Sequence, residues 1–280
     1  MLAGGLERGY KMKLIELNNH VKIPSIGLGT FASEKEELRI AIDAAVKAGY
    51  RAIDTAQMYG NESDIGAALK VSGVSRQELF LTTKLYETSC SYDKAKNAID
   101  CSLKELQTDY IDLLLLHMPY KESLEMYRAM EEAYNAGKVR AIGVCNFREE
   151  RYLDFISKCN IVPAVNQFET HVFQQNHELQ TVLEKHGTLL MAWSPLAKGR
   201  NGVFTHPVLM GIAEKYQKSV AQVMLRNLVQ RNIVVIPKSI NPNRIKENID
   251  IFDFELDAMD MEAIAALDQK ESLLEWTKDL

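Results

Sequence analysis

Apolar, β-branched runs alternate with helix-period segments along the whole chain. The runs start near Ser25, Ala52, Leu79, Tyr110, Val139, Pro163, Thr188 and Asn232, separated by 27, 27, 31, 29, 24, 25 and 44 residues. That interval is the length of a strand plus a crossover helix. Residues 110–116 and 232–236 are almost wholly apolar, as strands covered on both faces are. Between runs, residues 34–48 carry Leu38, Ile42, Ala45 and Val46 at helical spacing, with Ser33 as cap and Gly49 past the end. Residues 92–106 place Ala95, Ile99, Leu103 and Leu106 on one face. Asn241-Pro242 reads as a cap followed by a proline at the first helical position.

Eight strand–helix units in about 250 residues predict a (β/α)8 TIM barrel, read as one domain over residues 1–280. Residues 13–17 and 21–23, flanking Asn18-Asn19, predict a short N-terminal β-hairpin. The 44-residue interval holds a glycine-containing loop (197–204) and helical segments at 206–217 and 219–230. They predict an extra helical segment before the last strand. Met12 is a candidate second start, which would make residues 1–11 an extension outside the fold.

Composition narrows the class. Apolar residues are 46% and charged residues 25%, a globular mix. The net charge of −5 argues against a broad nucleic-acid-binding face. No apolar run approaches the ~18 residues of a membrane span, and the N-terminus lacks the apolar core of a signal peptide. Cys90, Cys101, Cys145 and Cys159 form no CxxC pair, so free thiols in a cytoplasmic protein are expected, without a metal site.

Gly27-Leu28-Gly29-Thr30-Phe31-Ala32 fits a dinucleotide-binding GxGxxG/A pattern, with Asp54 further on. Pro24 and Ser25 interrupt the strand that should lead into it, so a tight turn after the first barrel strand is the expected role. In a barrel, chemistry sits where strands end. There the second run ends at Asp54 with Tyr59 just beyond, the third at Lys84 and the fourth at His117. Singly, Lys84 reads as a solvated lysine, Tyr59 as a rim aromatic, His117 as a structural histidine and Asp54 as a helix cap. Together they suit one chemistry. A lysine lowers a neighbouring phenol's pKa, and a carboxylate holds the lysine charged. The phenol then protonates a carbonyl oxygen as hydride arrives, while the histidine orients that oxygen.

Asp54-Thr55-Ala56 with Tyr59, Gly60, Asn61 and Glu62, then Lys84 and His117, resembles the aldo-keto reductase family. The resemblance runs from about Ile23 to about Asp268. Further stretches agree with it in order: 142–147, Asn166-Gln167, 192–196, and 236–239 with Arg244, Glu247 and Asn248. It implies an NADPH-dependent reductase of aldehydes and ketones, with Tyr59 as proton donor and Asp54, Lys84 and His117 completing a tetrad. It also implies that Asn146 and Gln167 hold the nicotinamide carboxamide, beside Cys145. Trp193 would stack on the ring, and Ser194 and Leu196 would contact the pyrophosphate. Gly29 and Thr30 would border the cofactor. Lys238, Ser239 and Arg244 would meet the 2′-phosphate, and Glu247 and Asn248 the adenine end.

Lys238, Ser239 and Arg244 also surround a helix start, which with two cations makes an anion site. A solvated basic pair is the plainer alternative. Cys145 replaces the family's usual serine, and a thiol is a weaker hydrogen-bond partner. Met118 replaces a frequent tryptophan, and Val172 a frequent proline. Phe31, Met58, Tyr86 and Met118 are the expected substrate pocket. The short tail after Asp268 leaves little chain for a long specificity loop. The family resemblance leans towards a monomer with a small carbonyl substrate as its partner. A non-catalytic NADPH-binding sensor or subunit is the competing class. A metal-dependent hydrolase lacks its HxH pair.

Overall fold

A computed structural model describes residues 12–33 and 35–274. The candidate extension, 1–11, lies outside the described residues. The hairpin is β1 (Leu14–Glu16) and β2 (Lys22–Pro24), antiparallel with Ile15 opposite Ile23. Eight parallel strands follow: β3 (Leu28–Gly29), β4 (Ala52–Asp54), β5 (Phe80–Leu85), β6 (Leu113–Leu116), β7 (Ile142–Cys145), β8 (Val165–Glu169), β9 (Leu189–Trp193) and β10 (Val234–Val235). They pair in chain order, and parallel bridges Ile26–Val235 and Gly29–Lys238 join the last strand to the first.

The helices between them are α1 (Lys35–Ala48), α2 (Glu62–Lys70), α3 (Tyr92–Glu105), α4 (Ser123–Asn135), α5 (Glu149–Ile156) and α6 (His177–Lys185). Between β9 and β10 lie α7 (Pro207–Tyr216) and α8 (Val220–Gln230), and α9 (Pro242–Ile249) and α10 (Ala258–Ala265) close the order. Gly49 ends α1 at φ +101°, as expected of a glycine in that place. The cap expected of Ser33 adjoins Glu34, which lies outside the described residues. Among the described residues no helix is long and apolar enough to cross a membrane. The four cysteines are free.

Strand alternation sorts side chains into two cores. Leu113 and Leu115 point into the barrel with Phe80, Val165 and Met191. Leu114 and Leu116 pack beneath the helices with Ile99 and Met130. Ile15, Leu17 and Ile23 of the hairpin join the inner core beside Ala52, Phe80 and Leu113, which begin their strands. The hairpin therefore plugs the N-terminal end and leaves the C-terminal rim open.

The expected turn at Gly27 and Gly29 is corrected. Both lie along the first strand, where it meets its two neighbours. A Cβ on Gly29 would come within 2.8 Å of the Ile236 carbonyl oxygen, and one on Gly27 within 3.1 Å of the Ala52 Cβ. Their hydrogen atoms let the barrel close.

Candidate active site

The open rim holds a cleft of about 1280 Å³. Except for Lys84, every residue given a catalytic, cofactor or substrate role from sequence lines it, and Lys84 is buried beneath. Asp54 ends β4, and Thr30 fixes it by donating N–H and Oγ1–H to its carbonyl at 3.1 and 2.9 Å. Lys84 Nζ lies 2.5 Å from Asp54 Oδ1 and donates to the Thr55 carbonyl at 2.8 Å. Gln167 Nε2 donates to the other oxygen, Asp54 Oδ2, at 2.7 Å.

Tyr59 stands on a 3₁₀ turn (Gln57–Tyr59) above this pair, with Lys84 Nζ 5.1 Å from its ring centroid. Phe31 and His117 meet that ring edge-on, with centroids 5.1 and 5.7 Å away. Asn61 braces the loop, accepting from Thr55 Oγ1 at 2.7 Å and donating to the Thr30 carbonyl at 3.0 Å.

Electrostatics amend the expectation that Lys84 brings the phenol down. Burial pushes Tyr59 up, and the Lys84 cation only opposes this, with Asp54 and Cys145 adding to the rise. Tyr59 therefore keeps its proton at neutral pH. Burial also pushes the Asp54 carboxyl up, against Lys84 and Gln167. Burial works against the Lys84 charge, but Asp54, Tyr59 and Cys145 outweigh it and hold the amine protonated. Burial, helped by Lys84, lowers His117 to about 3, so the imidazole is neutral. Its Nδ1 is buried without a partner among the described residues. Burial pushes the Cys145 thiol up, so it stays a thiol.

Asn146, at φ +66°, is held within the rim. Its Nδ2 donates to the His117 carbonyl at 3.1 Å, and its Oδ1 accepts from Trp193 Nε1 at 2.9 Å. One amide thus fixes the indole in the cleft wall. At the far end Lys238 and Arg244 are exposed, and the Lys238 amine makes one long contact, 3.4 Å to the Ala32 carbonyl. Asn241 Oδ1 accepts from the N–H groups of Asn243 and Arg244 at 2.9 and 3.3 Å. The Asn241 cap expected from sequence thus occupies the Asn243 and Arg244 amides of the helix start.

Several lining residues escaped the sequence reading: Glu87, Tyr120, Lys198, Phe204, Val220 and Leu274. Lys198 and Phe204 fall in the glycine-containing loop already marked at 197–204, which was the available signal. Leu274 had none. Residues 272–274 reach the rim because the Ser272 hydroxyl and the Leu273 N–H donate to the buried Glu169 carboxylate and Arg200 donates to the Leu273 carbonyl.

A rim with a buried ion pair beneath a protonated phenol, continuous with a cleft that carries Lys238 and Arg244 at its far end, fits an oxidoreductase of the carbonyl-reducing class. The sequence model of the Aldo/keto reductase family matches residues 25–269, and the chain belongs to that family. It is 45% identical over 259 residues to the glyoxal reductase of Bacillus subtilis, covering 92% of this chain and 93% of the relative. It is 43% identical over 272 residues to the morphine 6-dehydrogenase of Pseudomonas putida, covering 92% of each. A crystal structure of a Bombyx mori aldo-keto reductase in complex with NADP superposes with a TM-score of 0.90 at 34% identity, over 95% of this chain and 96% of that one.

Proposed function

We propose that the chain reduces aldehyde and ketone carbonyls with NADPH, and that Tyr59 donates the proton. The carrying observation is the Lys84–Asp54 pair buried directly under the Tyr59 ring. Burial keeps the phenol O–H protonated before reaction. The Lys84 cation stabilises the phenolate left behind, which is the charge that grows as the oxygen takes its proton. Neutral His117 orients the carbonyl oxygen, and Asp54 keeps Lys84 charged and in place. NADPH, when bound, supplies the hydride that the carbonyl carbon receives.

The cleft suits that cofactor on its own terms. It is larger than the ~300–1,000 Å³ of a small-ligand pocket. Trp193 offers an indole face held by Asn146. Gln167 keeps its Oε1 for the carboxamide, alongside Asn146 and Cys145. Ser194 and Leu196 border the pyrophosphate, with Gly29 and Thr30 behind. Lys238, Ser239 and Arg244 take the 2′-phosphate, while Glu247 and Asn248 flank the adenine. Substrates enter between Phe31, Met58, Tyr86 and Met118, where pliable methionines accept varied shapes. The relatives named for a small dicarbonyl and for a bulky alkaloid alcohol agree with a tolerant pocket. A cytoplasmic monomer is the setting this reading takes.

The test is consumption of NADPH by purified protein with 4-nitrobenzaldehyde and with glyoxal. NADPH that binds but is not consumed with either carbonyl would favour the non-catalytic binding protein instead.

A further inference from the structure

We infer that Gln57 is a positioning residue that sets the proton-donor phenol against the Tyr86 wall of the pocket. The inference rests on the reading of Tyr59 as donor. The turn that carries Tyr59 is three residues long, and none of them is fully buried. Met58 and the following Gly60 are exposed. The Tyr59 ring packs against Phe31 and His117, but the backbone of the turn faces solvent on its other side, and the phenol must meet a carbonyl oxygen within hydrogen-bond reach.

Asn61 braces the loop from the Thr30 side, and the Gln57 carboxamide anchors the turn from the α3 side. Its Nε2 donates to the Ala98 carbonyl at 3.2 Å and to Ser102 Oγ at 3.0 Å, both on α3. Its Oε1 accepts from the Tyr86 N–H at 3.3 Å and from Ser89 Oγ at 3.2 Å. One side chain thus ties the donor's turn to a helix and to the loop that bears a pocket wall.

The tie continues inward. Ser102 Oγ donates to Glu62 Oε2 at 3.2 Å, and Thr83 Oγ1 donates to Glu62 Oε1 at 2.6 Å. Thr83 precedes Lys84 on β5, with its side chain on the opposite face. A continuous chain, Thr83–Glu62–Ser102–Gln57–Tyr86, therefore runs from the strand that carries the lysine, past the phenol, to the pocket wall. Among the described residues, Gln57 is the member of this chain that belongs to the Tyr59 turn. Leucine there has similar bulk and makes none of the four bonds.

Kinetics of Gln57→Leu test this. Turnover with saturating aldehyde should fall about ten- to a hundredfold, since small misplacements of a reacting group cost that much. The NADPH dissociation constant, read by fluorescence quenching, should stay within about twofold, because Gln57 lies outside the cofactor end. The preference between a small and a bulky aldehyde should narrow as Tyr86 is freed. Gln57→Glu keeps the acceptor for Tyr86 and should restore that preference while turnover stays low. Ser102→Ala, which leaves Gln57 in place, should lower turnover by less, about three- to tenfold. It decides the matter if Gln57→Leu does not fold. Unchanged turnover per NADPH-binding site in the folded variants would overturn the inference. An inactive wild type, or a Tyr59→Phe variant with full turnover, would instead defeat the donor reading and this inference with it.

Discussion

The two ends of the cleft are built by opposite means. At the tetrad end Lys84 and Asp54 are almost wholly buried, and both carboxylate oxygens of Asp54 have partners. At the anion end Lys238 and Arg244 stand in solvent with few partners. Burial strengthens every charge interaction at the first end and makes each loss expensive. Exposure at the second leaves long cations free to close on a phosphate, at the cost of screening by salt. Under the proposed function, reactivity is placed where water is excluded, and grip where a ligand must arrive and leave.

The sharpest way to break this contrast is Tyr59→Phe. It removes the only O–H assigned to proton donation and leaves the ring contacts with Phe31 and His117. Turnover should fall by about 10²–10⁴-fold while NADPH affinity holds. Turnover near wild type would remove the phenol from the reaction.

Lys84→Met comes next. It strands Asp54 without its cation, so unfolding in urea should show a loss of about 3–5 kcal/mol. It should also push the Tyr59 phenol further above its ordinary value, because burial then acts unopposed by Lys84. Adding Asp54→Asn should regain stability but no activity. A single variant as stable as wild type would contradict a tightly buried pair.

His117 links the same end to pH. Its folded value of about 3 lies below the ordinary ~6.5 of an unfolded histidine. The stability this contributes is present above pH ~6.5 and is lost as pH falls towards about 3, because the unfolded chain binds the proton first. Urea midpoints measured down that range should fall less steeply for His117→Gln than for wild type. Parallel curves would show that His117 is not held neutral.

The smallest effect belongs to the exposed end. Arg244→Ala should weaken NADPH about ten- to a hundredfold, as expected for charge-assisted bonds of roughly 1.5–3 kcal/mol. NADH should barely change, and the NADPH loss should shrink at high salt. Equal losses for both cofactors would mean that Arg244 shapes its loop.

The barrel was legible because its signal is local. Strand starts recur at the period of a strand plus a helix, and the chemistry-bearing residues follow where runs end. Asp54, Lys84 and His117 could be placed on one rim by that logic alone. Gln57 could not, since its partners Tyr86, Ala98 and Ser102 lie 29 to 45 positions away and carry no periodic mark. Gln167 was assigned to a ligand by resemblance, and its bond to Asp54 spans 113 positions.

By itself, the order of residues determined the alternation of strands and helices, the short N-terminal hairpin, and the placing of Asp54, Lys84 and His117 at strand ends. Those follow from neighbours a few positions apart, whose apolar faces must be buried whatever the rest of the chain does. Tertiary structure alone decided the sign of the Tyr59 shift, the use of the two glycines in closure, and the capture of the tail by Glu169. Each depends on what lies across the barrel, and dehydration by distant chain outweighs the single charge that the local motif supplies.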